Sequence, residues 1–207
     1  MIQIRPADNI VWIQDAGEFQ MPTAALPTGL AGDSDSKIEW QEPPHCTWKG
    51  QMLFDGRTAT LSGGVDINAS LVNGREPWEL RMTGDQLRVD LLEDVQIRDM
   101  GAMRDATIQQ VSLLESDNRP VMVQAIQRAP DGVTEAKHLI RATKLTLTPS
   151  EGGKLVGDGP GWYRGWMRPQ RGGLLTGTMD QELVDGQDSE LTGIHLVFND
   201  SMQGDMT

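Results

Sequence analysis

The chain has 207 residues, of which 38% are hydrophobic and 5% aromatic, and its formal net charge is −12. This length suffices for one large all-β domain, and the acidic excess argues against nucleic-acid binding, which depends on Lys and Arg neutralising phosphates. The single cysteine, Cys46, excludes an internal disulfide and a cysteine-based zinc site. No apolar run reaches the length of a membrane helix, so the sequence predicts no transmembrane segment.

The first 45 residues give few signals of regular structure. The chain opens without a basic start followed by an apolar run, so no signal peptide is predicted. It begins as if within a strand, and we expect a fragment of a longer protein. A faint echo between residues 48–56 and 194–204 is compatible with a repetitive parent. Residues 21–45 are rich in Pro, Gly, Asp and Ser and are predicted to form a long loop.

From Cys46 onward, apolar and polar residues alternate with a period of two. The alternation runs to Phe54, stops at the turn over residues 55–57, and resumes from Ala59 to Leu71. An Asp-Gly pair between two alternating runs is a strong signal for a β-hairpin. The sequence therefore predicts antiparallel strands on both sides of this turn.

The same pattern continues almost to the end of the chain. Further strands are predicted over residues 80–82, 87–92, 95–97, 107–111, 121–126, 144–147 and 194–198. Residues 134–142 fit either a short helix or a strand, and no βαβ rhythm appears. Regular short strands with Gly, Pro and Asp turns predict a single all-β domain built as an antiparallel sandwich, jelly roll or barrel, with Greek-key or meander connections.

No residues form a recognisable catalytic or metal-binding pattern. His45, His138 and His195 are far apart in sequence and lack the spacing of metal ligands. Cys46 alternates with large apolar residues, which is typical of a small buried side chain rather than of a nucleophile. We therefore predict that the chain is not an enzyme and that it needs no metal or cofactor.

Residues 157–173 form a basic, aromatic segment on an acidic chain. Trp162, Tyr163 and Trp166 are candidate surface contacts, since Trp and Tyr beside Arg suit a lipid headgroup boundary or a sugar ring. The alternative interpretation is a turn whose aromatic side chains cover an open barrel end.

Several motifs resemble the OstA/LptA-like organic-solvent-tolerance domain. They are Trp48-x-Gly-x-Met-x-Phe-x-Gly, Ala59-x-Leu61-x-Gly63-Gly64-Val65, Leu80-x-x-x-Gly84-x-x-Leu87-x-Val89 and Ala142-x-x-Leu145-x-Leu147. The resemblance covers roughly residues 46–165. It implies a folded-over β-roll, or β-taco, whose apolar interior carries lipopolysaccharide acyl chains across the periplasm and whose domains stack through edge strands.

The resemblance implies a non-enzymatic, envelope-associated domain in the periplasm or at the outer membrane, which binds lipid or serves as a repeat scaffold. The apolar inner face would be built from Trp48, Met52, Phe54, Leu61, Val65, Ile67, Leu87, Val89, Val121, Val123, Leu145 and Leu147. The same side chains could instead pack on each other as an ordinary closed core. A different alternative is a carbohydrate-binding or carbohydrate-active β-sandwich in which Trp162 and Trp166 form a sugar platform.

Overall fold

A computed structural model describes residues 1–20, 38–73, 76–98, 106–117, 119–129, 131–149, 154–168 and 191–205. Its strands form two antiparallel sheets that do not close into a barrel, so the prediction of an antiparallel all-β fold is confirmed. Below, the nine-stranded sheet is called the first sheet and the eight-stranded sheet the second.

The first sheet has the spatial order β1-β2-β5-β6-β9-β10-β13-β14-β17. Its strands are β1 (Ile2–Arg5), β2 (Ile10–Ile13), β5 (Met52–Phe54), β6 (Thr58–Leu61), β9 (Gln86–Leu91), β10 (Ile108–Leu114), β13 (Lys144–Thr148), β14 (Lys154–Asp158) and β17 (Ser201–Asp205).

The second sheet has the spatial order β16-β15-β12-β11-β8-β7-β4-β3. Its strands are β3 (Gly17–Gln20), β4 (Ile38–Trp48), β7 (Val65–Asn73), β8 (Glu76–Gly84), β11 (Val121–Arg128), β12 (Thr134–Ala142), β15 (Gly161–Met167) and β16 (Thr192–Phe198).

The chain alternates between the sheets, placing two strands in one and the next two in the other. Each new pair lies beside the previous pair, so both sheets grow in the same direction along the chain. The connections between sheets are short: Asp85 alone joins β8 to β9, and Thr143 alone joins β12 to β13. We call the set of these connections the crossing edge; its described residues are 14–16, 49–51, 62–64, 85, 115–117, 119–120, 143, 159–160 and 199–200.

Backbone hydrogen bonds link neighbouring connections along the crossing edge. The Asp85 N–H donates to the Leu114 carbonyl at 2.9 Å, and the Gly64 N–H donates to the Asp85 carbonyl at 3.0 Å. Gly64 has a φ of 99°, which favours glycine, and the Arg119 guanidinium occupies the space where a side chain would lie. The strand ladders of the two sheets are therefore joined by hydrogen bonds at this edge.

The main hydrophobic core lies next to the crossing edge and contains residues from both sheets. Its buried members are Cys46, Trp48, Leu61, Val65, Ile67, Leu87, Leu113, Val121 and Leu145. Most of them are the inward-facing residues closest to a connection. Because the ladder fixes the backbone there, side chains from the two sheets are brought into contact.

In three segments the observed secondary structure differs from the prediction or resolves an open alternative. The predicted loop over residues 21–45 is wrong for residues 38–45, which belong to β4, while residues 21–37 lie outside the described part of the chain. Pro43 and Pro44 suggested a loop because proline donates no hydrogen bond; β4 accommodates them where its register with β7 shifts, between Glu42 and His45. Residues 95–97 form no strand, and residues 134–142 adopt the extended alternative as β12.

Candidate functional site

All twelve predicted inner-face residues lie on inward-facing positions of the two sheets. Trp48, Leu61, Val65, Ile67, Leu87, Val121 and Leu145 belong to the main core, and Met52, Val89 and Val123 pack against it. Phe54 is buried as well, and Leu147 pairs with Val111 and Leu155, which also pack against the core.

Two core residues were not among the predicted inner-face positions. Cys46 was recognised only as a buried side chain, and its exposed fraction is 0%. Leu113 was missed because the predicted strand stopped at Val111, and the pair Leu113-Leu114 interrupts the alternation that marks a strand face.

On β9, β11 and β13, burial of the inward residues decreases with distance from the crossing edge. On β9, Leu87 is fully buried, whereas Val89, two residues further from the connection, is half-buried. The same change occurs on β13 between Leu145 and Leu147. On β11 of the second sheet, Val121 is fully buried and Val123 only half-buried. On these three strands the apolar inner positions are thus tightly packed near the crossing edge and partly accessible farther away, whereas on β7 the far position Leu71 is buried as well.

A row of rings crosses the inner face of the second sheet in this more accessible region. Trp78 on β8 stacks on His138 on β12 with ring centroids 5.7 Å apart, and His138 stacks on Tyr163 on β15 at 5.9 Å. Ala125 of β11 lies opposite His138 and leaves room above the sheet for the first contact. No sequence signal identified this row, since its members come from three strands.

His138 and Tyr163 also share a hydrogen bond, with 2.7 Å between Nδ1 and the hydroxyl oxygen. Burial lowers the pKa of His138 and raises the pKa of Tyr163, because both rings are partly removed from water. At neutral pH both groups are therefore uncharged. This pair is a polar contact on a mainly apolar face.

A small second cluster lies beside this row. Leu71 is buried, and Trp40, Trp78 and Leu80 pack against it. The indole N–H groups of Trp40 and Trp78 are buried and have no acceptor among the described residues. An unpaired buried donor costs free energy, so these two groups would gain from an acceptor oxygen supplied by a bound molecule or by water.

Cys46 has no reactive character. Its thiol is buried, and burial together with the charge of Asp66 raises its pKa to about 12. Because the thiolate is the nucleophilic form, the thiol is inert at neutral pH.

The predicted surface residues separate onto two faces of β15. Tyr163 points inward, whereas Trp162 and Trp166 lie on the outward face with Arg164 between them. The Arg164 guanidinium carbon lies 4.7 Å from the centroid of the Trp162 ring, which is a cation–π contact. His195 of β16 packs edge-on against Trp162 at 6.4 Å.

Two cations of β12 complete this outward surface. Arg141 lies opposite Trp162 in the ladder, and Lys137 lies opposite Trp166. We call this surface the basic–aromatic face and define it by Lys137, Arg141, Trp162, Arg164, Trp166 and His195.

The outward side of the second sheet also has a cavity of about 760 Å³, over β4, β7, β8 and β11. Most of the described residues that line it are polar, among them Gln20, Glu42 and Asn68, and none of these described residues is Trp, Tyr or Phe. The remaining histidine, His45, lines this cavity and contacts Glu18 at 3.1 Å. The described lining residues therefore offer a sugar ring no aromatic side chain on which to stack.

Two features are absent from the described residues. No group of three or more His, Cys, Asp or Glu side chains there is arranged to hold a metal ion. None of the elements in the described ranges is a helix long and apolar enough to cross a membrane.

Comparison with known proteins gives no relative: no protein-family model, curated protein or solved structure matches the chain. The resemblance to OstA-like domains therefore stays a prediction.

Proposed function

We propose that this chain is a non-enzymatic lipid-binding domain whose two sheets form a folded-over β-roll of the OstA-like kind, with acyl chains bound between the inner faces. One observation supports this most: inward apolar residues such as Val89, Val123 and Leu147 stay half-buried although they face the interior. A closed core would bury them as completely as Leu87.

The ends of the sheets extend this apolar surface. Ile4 on β1 is 58% exposed and Leu196 on β16 is 52% exposed, and both occupy inward-facing positions. An acyl chain that entered at either end would meet apolar side chains before it reached the half-buried interior.

Burial of apolar surface alone can supply the binding free energy for an acyl chain. Each buried methylene contributes about 0.8 kcal/mol, so a single acyl chain would gain several kcal/mol from an apolar interior alone. The indole N–H groups of Trp40 and Trp78 would donate hydrogen bonds to the ester or amide oxygen at the polar end of the lipid. No catalytic residue takes part in this binding.

Edge strands support a second part of the proposal, the stacking of β-roll domains. In the described part of the chain, β1 and β17 border the first sheet and β3 and β16 border the second. Border strands have unpaired N–H and C=O groups that can add a strand from another domain. Stacking at β16 would also cover Leu196. Such a domain would act in the periplasm or at the outer membrane, either as a bridge for lipid or as a repeat scaffold.

A titration with a fluorescent fatty-acyl probe tests the lipid proposal. We expect saturable binding to the unmodified chain and several-fold weaker binding to Leu196→Asp, which places a charge on the inward face. The matched control is Val197→Asp, because Val197 is the next residue, points outward and is 72% exposed. If the unmodified chain does not bind the probe, or if both variants weaken binding equally, the proposal is wrong.

The carbohydrate-binding alternative retains one favourable observation, the placement of Trp162 and Trp166 on the same face. However, Arg164 covers one side of the Trp162 ring, and stacking on a sugar requires an open ring face. Binding to a glycan array that disappears in Trp162→Ala, without uptake of the acyl probe, would favour this alternative.

A further inference from the structure

The basic–aromatic face concentrates unpaired cations on a chain whose net charge is −12. Within the part of the chain that the structure describes, Lys137, Arg141 and Arg164 make no ion pair. Two other cations of the second sheet are paired: Arg81 with Asp66, and Arg128 with Glu79. The unpaired cations therefore form a local positive surface.

Apolar and aromatic groups alternate with these cations. Trp162 and Trp166 are four residues apart on one strand, which is about 13 Å at the rise of an extended chain. Val197, opposite Trp162 in the ladder, points outward and is 72% exposed, and half-buried Leu139 lies opposite Arg164. The face thus combines positive charge, indole rings and one exposed aliphatic side chain, that of Val197.

We propose that the basic–aromatic face docks onto the surface of an anionic phospholipid bilayer. Lys137, Arg141 and Arg164 contact lipid phosphates, while the two indoles lie at the boundary between headgroups and acyl chains, where Trp is favoured. The exposed side chain of Val197 favours a bilayer over an acidic polysaccharide or protein surface as the partner. Val197 gains from a bilayer because it leaves water, whereas a hydrated anionic chain offers it no such gain.

The acidic remainder of the chain does not prevent this contact. At about 0.1 M ionic strength the screening length is about 10 Å, so carboxylates on distant strands are largely screened while cations at the contact are not. The charge distribution would orient the second sheet toward the bilayer. Binding should consequently weaken as salt is added.

Co-sedimentation with vesicles tests the proposal. We expect the full chain to bind vesicles of phosphatidylcholine and phosphatidylglycerol and to bind pure phosphatidylcholine vesicles much more weakly. Each cation at an anionic surface strengthens binding about fivefold, so the double variant Lys137→Gln/Arg164→Gln should bind about 25-fold more weakly. The double variant Arg5→Gln/Lys144→Gln removes the same charge from the first sheet and should bind within about twofold of the unmodified chain.

Three outcomes would overturn the proposal. They are absence of binding to the anionic vesicles, equal losses in both double variants, and binding to an immobilised anionic polysaccharide without binding to vesicles. Circular dichroism on each variant shows whether a loss reflects unfolding. Uptake of the fluorescent fatty-acyl probe should be unchanged in both double variants, so failure of the docking surface and failure of the lipid-binding interior are distinguishable.

Discussion

Replacement of Leu87 by Ala tests whether the two sheets pack as described. Leu87 has an exposed fraction of 0% and lies directly opposite Leu61 on β6 and Leu113 on β10, which are 1% and 3% exposed. Strand ladders hold both neighbours, so the site has little freedom to close over the lost methyl groups. We therefore expect a cost of about 3–5 kcal/mol, toward the upper part of the range for buried Leu to Ala changes.

Urea unfolding followed by circular dichroism measures this cost as a lower midpoint. At this chain length, each kcal/mol also lowers the melting temperature by roughly 2–4 °C. Leu53→Ala is the matched control, since Leu53 is 40% exposed and points away from the interior; its replacement should cost less than about 1 kcal/mol. Equal costs for the two variants would refute the packing of the two sheets around Leu87.

Three other predictions concern single residues. The buried Cys46 thiol should resist iodoacetamide in the native state and react once urea unfolds the chain; rapid native labelling would contradict its burial. Burial lowers the His138 pKa below its value in the unfolded chain, which is near 6.5. The contribution of His138 to stability is therefore complete above that pH and is lost as the pH falls. The variant His138→Phe should lose less stability between pH 7 and pH 5 in urea unfolding, and an unchanged loss would exclude this role. Gly64→Ala should cost about 1–3 kcal/mol in thermal unfolding. The matched control Gly132→Ala should cost less, because Gly132 also has a positive φ but no described neighbour lies within 4 Å of the added Cβ, whereas at Gly64 the Arg119 side chain must move.

The alternation of side chains predicted the faces of the strands correctly because a two-residue period follows directly from backbone geometry. It placed residues as distant as Trp48 and Leu147 on inward faces without any knowledge of their partners. The period gives no information on which sheet a strand joins. That assignment depends on connections such as Asp85 and Thr143, whose hydrogen bonds come from distant parts of the chain.

Three features were missed or misassigned from local composition because they depend on contacts between strands. Pro43 and Pro44 are typical of loops, yet a shifted register with β7 accommodates them inside β4. The row of Trp78, His138 and Tyr163 combines residues from three strands, so no short motif could reveal it. In the segment around Trp162, the prediction grouped Tyr163 with its neighbours, although alternation places it on the other face.

A spin-labelled fatty acid added to the isotopically labelled chain tests the proposed acyl-binding interior most directly. Paramagnetic broadening in NMR spectra should first reach the methyl groups of Val89, Val123 and Leu147, which point inward and are half-buried. Outward-facing Leu53 and Ile126 should stay sharp at the same concentration. Broadening that begins at the outward-facing residues, or none at saturating fatty acid, would contradict the account.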